Sequence, residues 1–221
     1  RDYLVQQHGV ENNKIEYLPQ YAPAQFDMIP PSAEHKETVD LMFAGNIGAA
    51  QNLQVVLNAA EILRNEKKLR WHIVGDGSEL ENLKRLAVEK KLDNVIFYGR
   101  KPPEKMPKYY AMADAMLVTL TADKFISLTL PGKIQTYMAA GKPIIASATG
   151  EIPTVLQDAH CGYCVAPDDA RALADAVRTF MNTNEKAELG QNARMYYETH
   201  FLRDKFMNRL ENTLIDNASK K

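Results

Sequence analysis

Short apolar runs closed by glycine, alternating with segments of helical spacing, constrain this chain more than any other feature of its sequence. VDLMFA at 39–44 ends in Gly45, WHIV at 71–74 in Gly75, and VIFY at 95–98 in Gly99. ADAMLVTL at 113–120, PIIA at 143–146 and residues 163–165 continue the series. These runs are short and lack polar alternation, so they read as strands buried on both faces. Between them, residues 50–64 place Leu53, Val56, Leu57, Ala60 and Leu63 on one helical face. Ser78, three residues before Glu81, predicts a capping box opening the next helix, which carries Leu80, Leu83 and Ala87. Residues 104–112, 131–140, 153–159 and 168–181 read as helices, and 185–217 as two more. Strand and helix in strict turn predict an α/β fold, a Rossmann-like doubly wound parallel sheet. Upstream, 2–9 reads as helix, KIEYL at 14–18 as a short strand ended by Pro19, and 19–37 as a proline-rich surface loop.

Composition narrows the function classes. The chain has 221 residues, enough to bury a core without disulfides. Lys+Arg 27 against Asp+Glu 28 gives a net charge of -1, which argues against a general nucleic-acid or anionic-membrane binder. No apolar run reaches the ~18 residues of a membrane span. Two cysteines, Cys161 and Cys164, exclude a disulfide scaffold. Their C-x-x-C spacing precedes strand-like rather than helical sequence, so they read as core residues and not as a redox pair. Only His160 stands near them, too few ligands for zinc. The other histidines (His8, His35, His72 and His200) are scattered and form no recognisable triad. The expected compartment is reducing, and the expected metal content is none.

In a doubly wound sheet, ligands lie beyond the C-terminal ends of the strands. Several candidates stand there. Gly45-Asn46-Ile47-Gly48 could bring backbone N–H groups to an anion, or be a tight turn. It is not a full G-x-G-x-x-G, so a dinucleotide cofactor is unsupported. Gly75-Asp76-Gly77-Ser78 reads more simply as a turn and cap. Gly99-Arg100-Lys101-Pro102 could touch a base or phosphate, or be a solvated loop. Leu130-Pro131-Gly132-Lys133 opens a helix with Pro near its start and a lysine in its first turn. That lysine opposes the helix dipole, a cost that an anion nearby would offset. Lys133, Thr136 and Tyr137 share one face of the helix, and a plain surface lysine is the competing reading.

The motifs taken in order resemble a known family. FAGNIG at 43–48, HIVGDGSEL at 72–80, VIFYGR at 95–100, YYAMAD at 109–114, YMAAGKP at 137–143 and GEIP at 150–153 look like the C-terminal half of a family 4 (group 1) glycosyltransferase. The bacterial branch that builds cell-surface polysaccharides is the most similar. The resemblance implies one half of a GT-B fold: 1–18 as the end of an N-terminal domain and linker, 19–200 as the nucleotide-sugar domain, and 201–221 as a helix crossing back. It implies a retaining transfer of a hexosyl or N-acetylhexosaminyl group from a nucleotide diphosphate sugar to a glycan or lipid-linked acceptor. No separate cofactor or metal is implied.

Residue by residue, the resemblance places Gly45, Asn46 and Gly48 at the donor diphosphate. It places Arg100 and Lys101 at the base, Gly132 and Thr136 around the donor, and Lys133 as the catalytic cation. The acceptor would bind through an N-terminal domain, and this chain alone is expected to be inactive. A cytoplasmic protein is expected, with peripheral association of the full-length protein at the inner membrane face as a further expectation. The sequence also departs from the pattern. Asn46 and Gln51 stand where relatives carry Arg and Lys, and Leu128 and Thr136 where they carry paired glutamates. These departures motivate an alternative, a degenerate donor domain with a scaffold role. A sugar-nucleotide epimerase is a weaker third reading.

Overall fold

In the computed structural model, residues 2–27, 29 and 37–219 are described. The rest of the loop read over 19–37, the C-terminal lysines and His35 lie outside them. Strands β1 (Val39–Asn46), β2 (Leu69–Asp76), β3 (Val95–Gly99), β4 (Ala115–Thr119), β5 (Ile144–Ser147) and β6 (Gly162–Val165) form one sheet in the order β3-β2-β1-β4-β5-β6. All pairs are parallel. The sequence-predicted Rossmann-like sheet is therefore present, and it has the strand order of a doubly wound fold.

Helices cover both faces. Among the described residues the helices are α1 (Asp2–His8), α2 (Gln54–Ile62), α3 (Leu80–Glu89), α4 (Met106–Met112), α5 (Lys133–Ala139), α6 (Glu151–Ala159), α7 (Ala170–Asn182), α8 (Lys186–His200) and α9 (Arg203–Ala218), of which α1 and α9 add nothing to either core. Alternation along each central strand sends neighbouring residues to opposite cores. Leu41, Phe43, Trp71, Ile73 and Leu117 pack with Val56 and Leu57 of α2 and with Leu173, Val177 and Phe180 of α7. Met42, Ala44, Val74, Met116 and Val118 pack with Tyr110, Tyr137, Leu156 and Tyr197 from α4, α5, α6 and α8. Because both faces are covered, the central strands are largely apolar and read as near-continuous apolar runs, with Asp40, His72, Thr119 and Ser147 as buried polar exceptions.

Local chemistry explains several boundaries. Asp169 caps α7 by accepting the Ala172 N–H at 2.8 Å. The glycine that ends each sequence run does not end β1 or β2. Both continue for two residues, with Gly45 paired to Gly75 and Asn46 to Asp76. The predicted capping box at Ser78 does not form. α3 starts at Leu80 with no side-chain cap, and the Glu79 N–H just before it donates to the Ile47 carbonyl at 3.0 Å. KIEYL is not a strand: a short 3-10 turn (Asn12–Lys14) is followed by irregular chain, and Tyr17 is exposed. α5 begins at Lys133, so Pro131 and Gly132 precede it. Cys161 is buried and Cys164 half-buried beside β5, both as free thiols pushed up by burial.

α9 has no buried residue. It touches the rest through the rings of Phe206 and Tyr21, 5.2 Å apart, and through an Arg209–Glu16 ion pair. Among the described residues no helix is long and apolar enough to cross a membrane.

Phe180 is fully buried where α7 meets the sheet. Phe180→Ala is expected to lower the unfolding free energy by about 3–5 kcal/mol, measured by urea unfolding.

Candidate donor site at the strand ends

The site is built from the C-terminal ends of β1 and β2. Their glycines leave no room for a side chain between the two backbones. Gly75 has φ +148°, and a Cβ there would lie 1.8 Å from the Gly45 carbonyl oxygen. A Cβ on Gly77 would lie 2.3 Å from the Ile47 oxygen. The floor of the site is thus bare backbone, a result of sterics rather than flexibility.

The loop after β1 is held by its own polar groups. Gln51 Oε1 accepts the Gly48 N–H at 3.1 Å and Asn46 Nδ2 at 3.3 Å. The Gly48 N–H, expected to face a phosphate, is therefore partnered by Gln51. The Gln51 carbonyl accepts the Thr119 hydroxyl, and Asn52 Nδ2 donates to Asp168 beyond β6. The Thr121 N–H donates to the Ala50 carbonyl at 3.0 Å. Each of these ties the loop to a neighbouring strand end, so it is fixed before any ligand arrives.

α5 supplies the polar wall. β1 pairs with β4 only as far as Met42 and Met116, although β4 continues to Thr119, so Ala44 has no ladder partner on that side. The Tyr137 hydroxyl fills the gap. It donates to the Ala44 carbonyl at 2.9 Å and accepts the Ala44 N–H at 3.2 Å. Burial holds the phenol far above its usual range, so it stays protonated and able to donate.

Four residues earlier, and so on the same face of α5, Lys133 reaches over the end of β1. Its Nζ lies 4.0 Å from the ring centroid of Phe43 and 3.3 Å from where a Gly45 Cβ would stand. A side chain at 45 would occupy that path. The ammonium is buried and has no hydrogen-bond partner among the described residues. Burial lowers its pKa from the usual 10.5 to about 8. The aromatic face compensates part of the lost hydration, but no carboxylate among the described residues pairs with it.

The remaining predicted residues surround this centre unequally. The Thr136 hydroxyl donates back to the Gly132 carbonyl at 3.0 Å, within its own helix. Gly132 is exposed, with Gln20 Oε1 3.0 Å from its would-be Cβ. Arg100 is exposed beyond β3, and Lys101 lies 6.0 Å from the Tyr109 ring centroid. Val74 pairs with Gly99, so the 99–101 loop adjoins Gly75 and, through it, Gly45. The structure thus brings Gly45 and Lys133 into contact and lines Arg100 and Lys101 along the same sheet edge. The sequence singled out Gln51 only as a departure from the family pattern, not as the acceptor for the Gly48 N–H; the Phe43 ring under Lys133 carried no local signal.

The loop over 121–132 closes the far side and is braced internally. Asp123 Oδ1 accepts the N–H groups of Phe125 and Ile126 at 2.8 and 2.9 Å. A separate shallow cleft, lined by Arg64, Lys67, Arg70, Lys91 and Asp93, lies at the opposite end of β2 and β3.

Comparison with known proteins agrees with this architecture. WbjE of Pseudomonas aeruginosa, named a probable glycosyltransferase, is 33% identical over 134 residues, covering 60% of this chain and 33% of that protein. The glycosyl transferase WcaI of Escherichia coli (strain K12), named for colanic acid biosynthesis, is 30% identical over 141 residues, covering 62% and 34%. The chain therefore spans about a third of the length of these relatives. A TarM mutant of S. aureus, solved in complex with UDP among other ligands, superposes with a TM-score of 0.77 at 17% identity, over 96% of this chain and 41% of that one. The family model for glycosyl transferases group 1 matches residues 25–196, most of the strands and helices described above, and the chain belongs to that family.

Proposed function

We propose that this chain is the donor-binding part of a retaining glycosyltransferase. It would move a sugar from a nucleotide diphosphate sugar to a glycan or lipid-linked acceptor in cell-surface polysaccharide synthesis. The observation that carries the reading is the buried ammonium of Lys133 against Gly45, without a hydrogen-bond partner among the described residues. A cation in that position is costly alone and is stabilised by an anion. Support for the ligand class comes from TarM, which holds UDP on the same fold, and from WcaI for the polysaccharide context.

In the proposed reaction the bond between the sugar C1 and the diphosphate oxygen breaks. A new C1–oxygen bond forms to the acceptor hydroxyl, which loses its proton. Negative charge builds on the departing nucleoside diphosphate, and Lys133 lies where it would neutralise that charge. Gly45 and Asn46 would border the diphosphate, with Gly48 held by Gln51 behind them, and Gly132 and Thr136 would border the donor from α5. Arg100 and Lys101 would border the base. The lysine would do this without a required metal. The acceptor would come from a preceding domain, and residues 201–221 would pack back on it at the inner face of the membrane.

A scaffold reading has its own support. Gln51 occupies the Gly48 N–H, and Thr136 turns its hydroxyl onto Gly132, so two polar groups are spent within the protein. Lys133→Met in the full-length protein separates the readings. The donor reading expects nucleoside diphosphate affinity to fall at least tenfold, roughly the worth of one charge-assisted contact, and transfer to fall with it. Unchanged transfer would sink the role assigned to Lys133, and a full-length parent with no transfer activity would favour the scaffold. Titration calorimetry with UDP, GDP and ADP tests binding directly, and no heat with any of them at millimolar ligand would sink the donor reading.

The lysine also predicts two pH effects. Its folded pKa is depressed, so between pH 8 and 10.5 the unfolded chain holds more protons, and stability rises with pH across that window. Below pH 8 the whole cost is present, on the order of 3 kcal/mol. Lys133→Met is therefore expected to be more stable than the parent at pH 7 by roughly that amount. The gap should shrink towards pH 10, as read by urea unfolding at successive pH values. Binding runs the other way: nucleoside diphosphate affinity should weaken as pH rises through 8, because the cation is lost. Calorimetry from pH 7 to 9 checks this.

A further inference from the structure

A buried polar chain crosses the sheet beside the site. Asp40 of β1 and His72 of β2 are both buried, with Asp40 Oδ1 2.7 Å from His72 Nε2. His72 Nδ1 lies 2.8 Å from the Tyr98 hydroxyl of β3. Asp40 is anchored in turn, since its Oδ2 accepts the Thr38 hydroxyl at 3.0 Å and its N–H donates to Asp114 at 2.7 Å. Such groups cost stability when buried unless each is satisfied, and this chain lies inside an otherwise apolar layer.

The register shows what the chain holds. Ile73 pairs with Phe97, but Val74 pairs with Gly99, so Tyr98 is the extra residue of a bulge. A bulge bends its strand and redirects the backbone beyond it. Gly99 comes next at φ +67°, a left-handed conformation in which side chains are strained. The loop then carries Arg100 and Lys101 along the edge that adjoins Gly75. Tyr98 also meets Tyr109 of α4 edge-on, with centroids 5.2 Å apart, and Lys101 Nζ lies 6.0 Å from the Tyr109 ring centroid. The loop between β3 and α4 is therefore clamped at both ends by aromatic residues, and one of them is tied through His72 to Asp40.

We propose that Tyr98, pinned by His72 and Asp40, is a positioning residue for the donor nucleotide: it fixes the β3 bulge and so aims the Arg100–Lys101 loop at the nucleoside. This rests on the reading of the strand ends as a nucleoside diphosphate site. It adds a division of labour, in which Lys133 and Gly45 hold the diphosphate and the pinned bulge holds the nucleoside side.

The test uses Tyr98→Phe, which keeps the ring against Tyr109 and removes only the hydroxyl. In the full-length protein, titrate UDP, GDP, ADP and inorganic pyrophosphate, and measure donor KM and kcat. Tyr98→Phe is expected to weaken the nucleotide that the parent binds by about fivefold or more, the scale of one hydrogen bond. Pyrophosphate binding should be retained, and donor KM should rise with kcat nearly constant. Tyr98→Phe combined with His72→Leu should weaken the nucleotide no more than the worse single variant, because both break one chain. If His72→Leu does not fold, the Tyr98→Phe measurements decide alone. Nucleotide binding equal to the parent's, with only a lower melting temperature, would overturn the proposal and leave the donor reading standing. Equal loss of pyrophosphate and nucleotide would also overturn it, since that is general collapse of the site. A parent that binds none of the three nucleotides would remove both readings together.

Discussion

One hydroxyl group holds the two halves of the site together. β1 and β4 stop pairing after Met42 and Met116 although both strands continue, and the Ala44 carbonyl and N–H are met by a side chain instead. Tyr137 satisfies both from α5. Buried backbone groups left unpaired cost about 1–3 kcal/mol each, so this contact fixes where α5 sits along β1. The rest of α5 is placed by it. Lys133 is one turn earlier on the same face, and its reach over Gly45 to the Phe43 ring depends on that placement. The contact also explains how β1 keeps ordered backbone on the side where its pairing with β4 has ended.

The electrostatics of the site are unusual for a surface cleft in a chain of net charge -1. A net charge of -1 supplies no overall positive charge to attract a diphosphate. Instead one ammonium is withdrawn from water, rests on an aromatic face and is left without a counter-charge among the described residues. Low dielectric makes such a charge act more strongly on a nearby anion than an exposed lysine would. The same burial makes it easier to deprotonate. Strength of attraction and sensitivity to pH therefore come from a single cause.

The sheet was legible because its central strands are buried on both faces, and such runs have no counterpart in loops or amphipathic helices. Boundaries were less legible. Gly45 and Gly75 read as terminators, yet they continue β1 and β2 because two glycines facing each other let the ladder carry on. Ser78 had the spacing of a cap, but the chain before α3 is held to the β1 loop by the Glu79 N–H and Ile47 carbonyl, and the helix starts at Leu80 without a side-chain cap. KIEYL has strand alternation, but the sheet edges belong to β3 and β6, and alternation without a partner is not a strand. Lys133, Arg100 and Lys101 were found because strand ends are where such folds bind. Asp40, His72 and Tyr98 were not joined in the sequence, since their contact depends on the register of three strands.

The contact between Gly45 and Gly75 bears on how such a site can change. Where two backbones touch, no side chain exists to be exchanged, and any substitution at Gly75 must push a main chain aside. The floor is closed to variation. Differences in what the cleft accepts have to arise on its rim, in the 99–101 loop, the 121–132 loop and the exposed end of α5, where side chains can be replaced without moving the sheet. A chain of this design can alter its preferences by repainting walls around a foundation that stays fixed.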